Sequence, residues 1–394
     1  MIRLGLYHEP VHADGESFDT YGAYARYVLE FARHFDRVTV FAPATTEPTY
    51  FSGCSLAADN VTVVPLPFFL THAQALRHGL SIARIFRRHS AELDVINARG
   101  TAPLAYLLWL MTRRRGVPFI YHFASDPFEV IAQSPRYRGP YRLFARLAYG
   151  AEFHIQKHIM RRGYSFASGE ALCQRLRQVT PNVEAVITST LRQEDYHRRK
   201  DSCTRGTVRV LYVGYLRDGK GLDDLLQAVR ILRDAGRNVE LDIVGEGDMQ
   251  KPLTDQAGRL GLGKHVHFHG YVVMGPPLNA RYNRSDVLAL PSVSEGSPKV
   301  VLEALGHSLP VVATTVGNVP EMLAGGQRGA VVPAKDPPAL AAGIARMMDD
   351  GEFRRRCIRE GYAFARQHSL EAFVARMAAK ARELAGEARG GRKA

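Results

Sequence analysis

The sequence predicts an α/β protein built from two doubly wound parallel-sheet domains that face a central cleft. Three observations carry this expectation. Short β-branched runs alternate with longer helical patterns along the whole chain, as βαβ units do. The chain has 394 residues, too many for one ordinary core. A polar, highly charged stretch, LRQEDYHRRKDSCTRGT (191–207), splits the alternation into two halves and reads as a linker.

In the first half the expected strands are IRLGLY (2–7), VTVFA (38–42), VTVVPL (61–66), DVINA (94–98), FIYHF (119–123), YSFAS (164–168) and VEAVIT (183–188). Apolar residues at helical spacing in YGAYARYVLEFARHF place an amphipathic helix after the first strand. The second half repeats the pattern with VRVLYVG (208–214), VELDIVG (239–245), HVHFHG (265–270), DVLALP (286–291), PVVATT (310–315) and GAVVP (329–333). Helices fall between these runs, GLDDLLQAVRILRDAG (221–236) among them. The expected domains are 1–190, a linker at 191–207, and 208–368. A terminal helical segment, 369–394, packs back on the first domain and ends in a disordered EARGGRKA.

Composition narrows the class. Apolar residues make up 46% of the chain, which suits a packed globular protein. The four cysteines, Cys54, Cys173, Cys203 and Cys357, follow no metal or disulfide spacing, and a reducing compartment is expected. The amino terminus enters a strand at once, so a signal peptide is not expected. TAPLAYLLWLM (101–111) is too short to span a bilayer and reads as a buried helix. The expected location is therefore cytoplasmic.

The net charge of +13 is unevenly spread. Arg136, Arg138, Arg142, Arg146, Lys157, Arg161 and Arg162 stand against one acid, Glu152, with aromatic and apolar residues between them. That segment suits an anionic membrane surface, with apolar groups buried and guanidinium groups on lipid phosphates. A solvated basic face and a nucleic-acid patch use the same residues, and the sequence leaves all three readings open.

The chemistry concentrates in the second half. LYVGYLRDGKGLDDLL ends a strand at Gly214, carries Lys220 in a glycine-rich loop and opens a helix, an arrangement suited to phosphate. IVGEGDM places Gly245 after the next strand, and HFHGYV places Tyr271 and Val272 after a third, where backbone can meet a base edge. In EGSPKVVLE, Glu295 lies in the loop at a strand's carboxyl end and Glu303 two helical turns later. Open α/β sheets bind ligands at that edge, and carboxylates there accept hydrogen bonds from hydroxyls. A polyhydroxylated ligand such as a nucleotide sugar fits. ATTVGNVPEM supplies a rigid turn and a helix start after the next strand.

Taken together and in this order, GYLRDGKG, VGEGDM, HFHGYV, SDVLALPSVSEGSPKVVLEALGHSLPVVAT and VGNVPE make residues 208–325 resemble the donor-binding domain of the retaining GT-B glycosyltransferases of family 4, glycosyltransferase group 1. The first half is similar only in outline. The resemblance implies two Rossmann-like domains, an acceptor-binding one followed by a nucleotide-sugar one. It assigns catalytic roles to Glu295, His122 and Lys220: Glu295 on the sugar hydroxyls, Lys220 on the diphosphate, His122 near the donor sugar. It places Glu303 on the ribose, the backbone of Gly296, Ser297 and Pro298 against sugar and phosphate, and Tyr271 and Val272 beside the base. Gly214 and Gly245 belong to the donor-binding loops, and Gly22 matches the phosphate loop of the first half.

Three positions depart from the family pattern. Tyr215 stands where an arginine is usual, which turns attention to Arg217. Ala23 replaces the second glycine after Gly22. Lys299 occupies a position often apolar and is a candidate sugar or phosphate contact. His8 and Glu9 are further candidates for the cleft, Asp126 for acceptor or sugar, and Tyr282 reads as packing.

The implied activity is retaining sugar transfer from a nucleoside diphosphate sugar, a UDP- or GDP-sugar, to an acceptor hydroxyl. It needs no cofactor or metal, since no acidic DxD-type cluster stands out. The acceptor is expected to be a lipid-linked or growing saccharide of a cell-surface polysaccharide or glycolipid. An anionic membrane surface at 136–162 would then place the protein at the inner face of the cytoplasmic membrane. Two other readings remain: a non-catalytic nucleotide-sugar-binding protein of the same fold, and a nucleic-acid-binding or modifying protein.

Overall fold

The computed structural model describes residues 1–390 apart from His8, Glu16, 48–52, Thr101, Ser125, Pro127, Glu129, Val130 and 132–138. The chain forms two compact units. Unit 1 takes the described residues of 1–187 together with the helix Leu370–Gly390, and unit 2 is Thr188–Ser369.

Unit 1 carries β1 (Arg3–Tyr7), β2 (Val11–Asp14), β3 (Ser17–Thr20), β4 (Arg37–Thr45), β5 (Cys54–Ser55), β6 (Val61–Leu66), β7 (Val95–Arg99), β8 (Phe119–Phe123), β9 (Tyr164–Ser168) and β10 (Val183–Val186). Its sheet runs β10-β9-β8-β7-β1-β4-β2-β3-β5, with β6 also paired to β4. β10, β9, β8, β7, β1, β4 and β6 pair in parallel. β2 joins the end of β4, and β3 and β5 follow it antiparallel. These three short strands are an addition to the sequence reading. Asp14 and Gly15, the latter at φ +60°, turn the chain between β2 and β3.

Buried residues alternate along the parallel strands because successive side chains point to opposite faces. Leu4, Leu6, Val38 and Val40 join one core layer, while Tyr7, Phe41, Ile96 and Ala98 join the other. The first layer is closed by the helix Gly22–Ala32, through Tyr24, Val28 and Phe31, and by Phe373, Val374 and Met377 of the helix Leu370–Gly390. The helix Ala105–Thr112 buries Ala105, Leu108 and Thr112 but leaves Leu110 partly in solvent, so it is covered on one face, less completely than expected.

Unit 2 carries β11 (Val208–Val213), β12 (Val239–Val244), β13 (Val266–Phe268), β14 (Val287–Leu290), β15 (Val311–Thr314) and β16 (Ala330–Val332). All six are parallel, in the order β13-β12-β11-β14-β15-β16. Val210, Tyr212, Leu241, Ile243 and Val287 face one layer of helices, including Leu222–Asp234 and Pro337–Asp349.

The stretch 191–207 is not a free linker. Arg199 donates to the carbonyls of Ser308 (3.0 Å), Ser285 (2.7 Å) and Tyr282 (3.0 Å). Asp201 accepts from Arg354 at 2.6 Å, and Asp195 from Asn279 at 2.8 Å. Asp195, Arg199 and Asp201 are thus partnered within unit 2 while Arg198, Lys200 and Arg205 stay exposed, and the boundaries fall at 187/188 and 369/370.

Candidate functional site

The strand order of unit 2 places its reversal between β11 and β14, which are neighbours in the sheet but distant in sequence. A crevice outside the carboxyl ends of such a pair is where this sheet type takes ligands. The loops leaving β11 and β14 are the two that hold Lys220 and Glu295. They are joined across the reversal. Lys220 Nζ donates to Glu295 Oε1 at 2.7 Å, with both side chains mostly buried. Val293 N donates to the carbonyl of Gly219 at 2.8 Å. Gly221 sits at φ +65°, where a Cβ would lie 2.0 Å from the carbonyl oxygen of Pro291. Glycine is the residue that permits this approach. Ser292 Oγ also donates to Glu295 Oε1, at 2.6 Å. The ammonium has three donors and commits one to Glu295.

The helix Lys299–Gly306 starts at the end of the β14 loop, and its N-cap residue Pro298 caps no amide with a side chain. Its first N–H groups and dipole therefore favour an anion. Glu303 lies on the buried face of this helix and is 7% exposed. Both carboxylate oxygens are engaged: Thr190 Oγ1 donates to Oε1 at 2.5 Å and Tyr282 OH to Oε2 at 2.7 Å. Tyr282 is thus more than packing. Burial, with Glu303 beside it, pushes its phenol well above the usual range. Its ring stacks on His307, 5.0 Å between centroids and 7° between planes. Each carboxylate oxygen has a second lone pair, so Glu303 retains acceptor capacity.

Three neighbouring loops are stitched by backbone bonds. Gly214 N donates to Val244 O, Gly245 N to Gly270 O and Leu216 N to Glu246 O, at 2.8 to 3.0 Å. A Cβ on Gly245, at φ +133°, would fall 1.9 Å from Gly214 O. Tyr271 is about half exposed and Val272 partly buried. Tyr215 and Arg217 are both exposed on the β11 loop, with Tyr212 OH donating to Tyr215 O at 3.1 Å. Gly296, Ser297, Lys299 and Val300 are intermediate in burial, and Pro298 is buried.

In unit 1 the equivalent reversal lies between β1 and β7. There Glu9 pairs with Arg99, one residue from each carboxyl end. His8 lies outside the described residues. Gly22 is the buried first residue of the helix Gly22–Ala32. His122 is in β8, 3% exposed, with its Nε2 3.4 Å from Ser168 Oγ and its ring near Tyr27 and Phe373. Asp126 pairs with Arg175 at 3.2 Å and accepts from Phe128 N, the local turn its position before proline suggests.

Lys220, Glu295, Gly214, Gly245, Gly296 and Glu303 therefore share one edge of unit 2, whereas His122 and Gly22 belong to unit 1. Sequence reasoning missed Ser292, Thr190 and Arg99. Ser292 stands three residues before Glu295 in the same loop, a readable signal. Thr190 and Arg99 carry no local signal, since topology alone brings them to their partners. Among the described residues no group of three or more His, Cys, Asp or Glu side chains can hold a metal ion.

Residues 195–364 match the family Glycosyl transferases group 1. The match takes in the whole of the edge described above. An uncharacterized glycosyltransferase of Methanocaldococcus jannaschii is 36% identical over 145 residues, 37% of this chain and 37% of its own. The D-inositol 3-phosphate glycosyltransferase of Corynebacterium glutamicum is 33% identical over 213 residues, 52% of this chain and 50% of its own. The alpha-D-kanosaminyltransferase of Streptomyces kanamyceticus is 25% identical over 350 residues, 83% of this chain and 89% of its own. Among solved structures, the sucrose-phosphate synthase of Thermosynechococcus elongatus aligns with a TM-score of 0.76 at 18% identity, covering 98% of this chain and 99% of that one. HepE of Anabaena, solved in complex with UDP, aligns with a TM-score of 0.68 at 17% identity, over 96% and 98%. These likenesses show the fold, the GT-B architecture of two α/β units.

Proposed function

We propose that the protein is a retaining glycosyltransferase that moves a sugar from a nucleoside diphosphate sugar to an acceptor hydroxyl without a metal ion. The observation that carries this reading is the Lys220–Glu295 pair across the β11/β14 reversal, inside the segment that matches the family. Transfer must stabilise a cationic sugar and a departing diphosphate. Fixed charges in a partly buried site do this without reorganising at the moment of reaction. Lys220 and the first amides of the helix Lys299–Gly306 serve the diphosphate, with Arg217 and Lys299 as further cations. Glu295 takes the sugar hydroxyls, and Glu303 takes the ribose with its remaining lone pairs. Tyr271 and Val272 flank the base, and the loops at Gly214, Gly245 and Gly296 to Pro298 give the backbone close access. His122 and Gly22 act from unit 1. The leaving diphosphate oxygen accepts the acceptor's proton. HepE, which shares the fold, has been solved with UDP and with UDP-glucose, and these ligands guide the choice of probes.

The acceptor proposed is a lipid-linked or growing saccharide at the inner face of the cytoplasmic membrane. Support comes from the helix Gly139–Met160, whose first turns expose Tyr141 (50%), Leu143 (63%), Phe144 (63%) and Leu147 (65%) beside Arg142 and Arg146. Such a combination is typical of segments that lie in a membrane interface. Arg136 and Arg138 of the same basic run lie outside the described residues. No helix among the described residues is long and apolar enough to cross a membrane.

Thermal unfolding with UDP, GDP, ADP, dTDP and their glucose conjugates tests the donor reading. A ligand held at a hundred times its Kd adds about 2.7 kcal/mol of stability, so one diphosphate should raise the melting temperature by several degrees. Slow hydrolysis of the matching nucleotide sugar should accompany it. Binding without any turnover, even with saccharide acceptors, would leave a binding protein in place of an enzyme.

A further inference from the structure

The loop after β15 lies against the loop that carries Glu295. Asn318 N donates to Gly296 O at 2.8 Å, and Thr314 Oγ1 donates to the carbonyl of Ser292. Gly317, at φ +51°, is so close that a Cβ would sit 2.2 Å from Glu295 O and 2.4 Å from Gly296 O. Residue 318 is therefore fixed beside the candidate sugar site by the backbone, whatever its side chain does.

That side chain is idle. Asn318 is 5% exposed, yet its amide nitrogen meets no acceptor. It precedes the helix Val319–Met322 as the N-cap, where asparagine ordinarily caps, but its side chain makes no capping bond. One residue beyond Gly296, the hydroxyl of Ser297 is also buried and without a partner. Folded proteins satisfy the large majority of such atoms. Among the described residues of unit 2, buried unpartnered side-chain atoms occur on Arg192, Ser297, His307 and Asn318, and two of these four adjoin Gly296.

We infer that Asn318, with Ser297, is a specificity-determining contact for the donor's sugar. The inference rests on the donor reading above and deepens it. Glu295 as a carboxylate only accepts hydrogen bonds, and an amide N–H only donates. A sugar hydroxyl does both, so one that donates to Glu295 can accept from Asn318. A phosphate oxygen only accepts, and Lys220 with the helix amides already suits it. The Ser297 hydroxyl, donor and acceptor together, fits a second sugar hydroxyl.

Titration calorimetry on the full chain tests this with the free diphosphates UDP, GDP, ADP and dTDP and their glucose conjugates. For the diphosphate pair that the wild type binds, Asn318→Ala should weaken the glucose conjugate about tenfold, the worth of one such hydrogen bond. The free diphosphate should change less than about twofold. The melting temperature of the unliganded variant should not fall, because the amide has no partner to lose. Ser297→Ala should show the same split. Equal weakening of both ligands, unchanged affinity for the conjugate, or a lowered melting temperature would each overturn the assignment. Failure of the wild type to bind any of the eight compounds would instead sink the donor reading, and this inference with it.

Discussion

Lys220 and Glu295 illustrate how two side chains with separate expected tasks constrain each other. At 2.7 Å and mostly out of water, neither can be removed without leaving the other partly buried and unpaired, the costly half of any ion-pair deletion. Lys220→Met should lower kcat/KM with the identified donor by 100-fold or more, the scale of losing one preorganised charge contact (~10²–10³ in rate). It should also weaken the free diphosphate. Glu295→Gln keeps the shape and an acceptor for Ser292, so it should lower kcat by a similar factor with little change in diphosphate affinity. Full activity in Glu295→Gln would remove that residue from the chemistry. Tyr282 makes a different case. Its hydroxyl reaches a buried carboxylate, so Tyr282→Phe should destabilise unit 2 by about 1–3 kcal/mol, read from urea unfolding. A residue that only fills space would lose little on this change.

At the scale of elements, the strand pattern was readable because parallel strands buried on both faces are short runs of β-branched residues. VTVVPL, FIYHF and YSFAS were placed with the bounds the structure has. The β2, β3 and β5 strands were not visible, since VHAD, SFDT and CS lack a run of apolar residues and pair only because β4 is long enough to receive them. The EGSPKVVLE segment was readable as a candidate site through residue type and spacing, and the structure brings Lys220 to its first glutamate. The contacts of Glu303 did not, because Thr190 is 113 residues away in sequence. The same helix ends at His307, which is fully buried and shares its Nδ1 with Asn283 Oδ1 at 2.8 Å. Burial depresses its pKa from 6.5 to about 4, aided by His197 and Arg199 and opposed by Asp195. The native state thus refuses a proton that the unfolded chain accepts. The contribution is whole above pH 6.5 and is lost progressively as pH falls from 6.5 to about 4, by roughly 3 kcal/mol at most. Unfolding free energies measured across that window should flatten in His307→Asn relative to the wild type. An unchanged slope would mean that His307 titrates normally.

At the scale of the whole molecule, the excess of positive charge resolves into local cases. Arg199 and Arg354 are structural, bound to carbonyls and to Asp201. The helix Gly139–Met160 is the contrasting case, since its arginines accompany exposed leucines and a phenylalanine. His72 ties it to the helix His72–Arg77 through Glu152 at 2.8 Å, and that helix and the next one expose Leu76 (65%) and Leu80 (78%). Charge alone would attract any polyanion, duplex DNA included, and salt would abolish the attraction. Apolar insertion would not be screened. The protein should therefore sediment with vesicles containing anionic phospholipid, retain part of that binding in 0.5 M salt, and bind duplex DNA weakly and only at low salt. Replacing Leu143, Phe144 and Leu147 together with serine should remove the salt-resistant part. Donor hydrolysis in solution should persist, because these positions belong to unit 1 and the β11/β14 edge to unit 2. Vesicle binding that disappears entirely with salt, or survives the triple replacement, would reduce the helix to an ordinary basic surface.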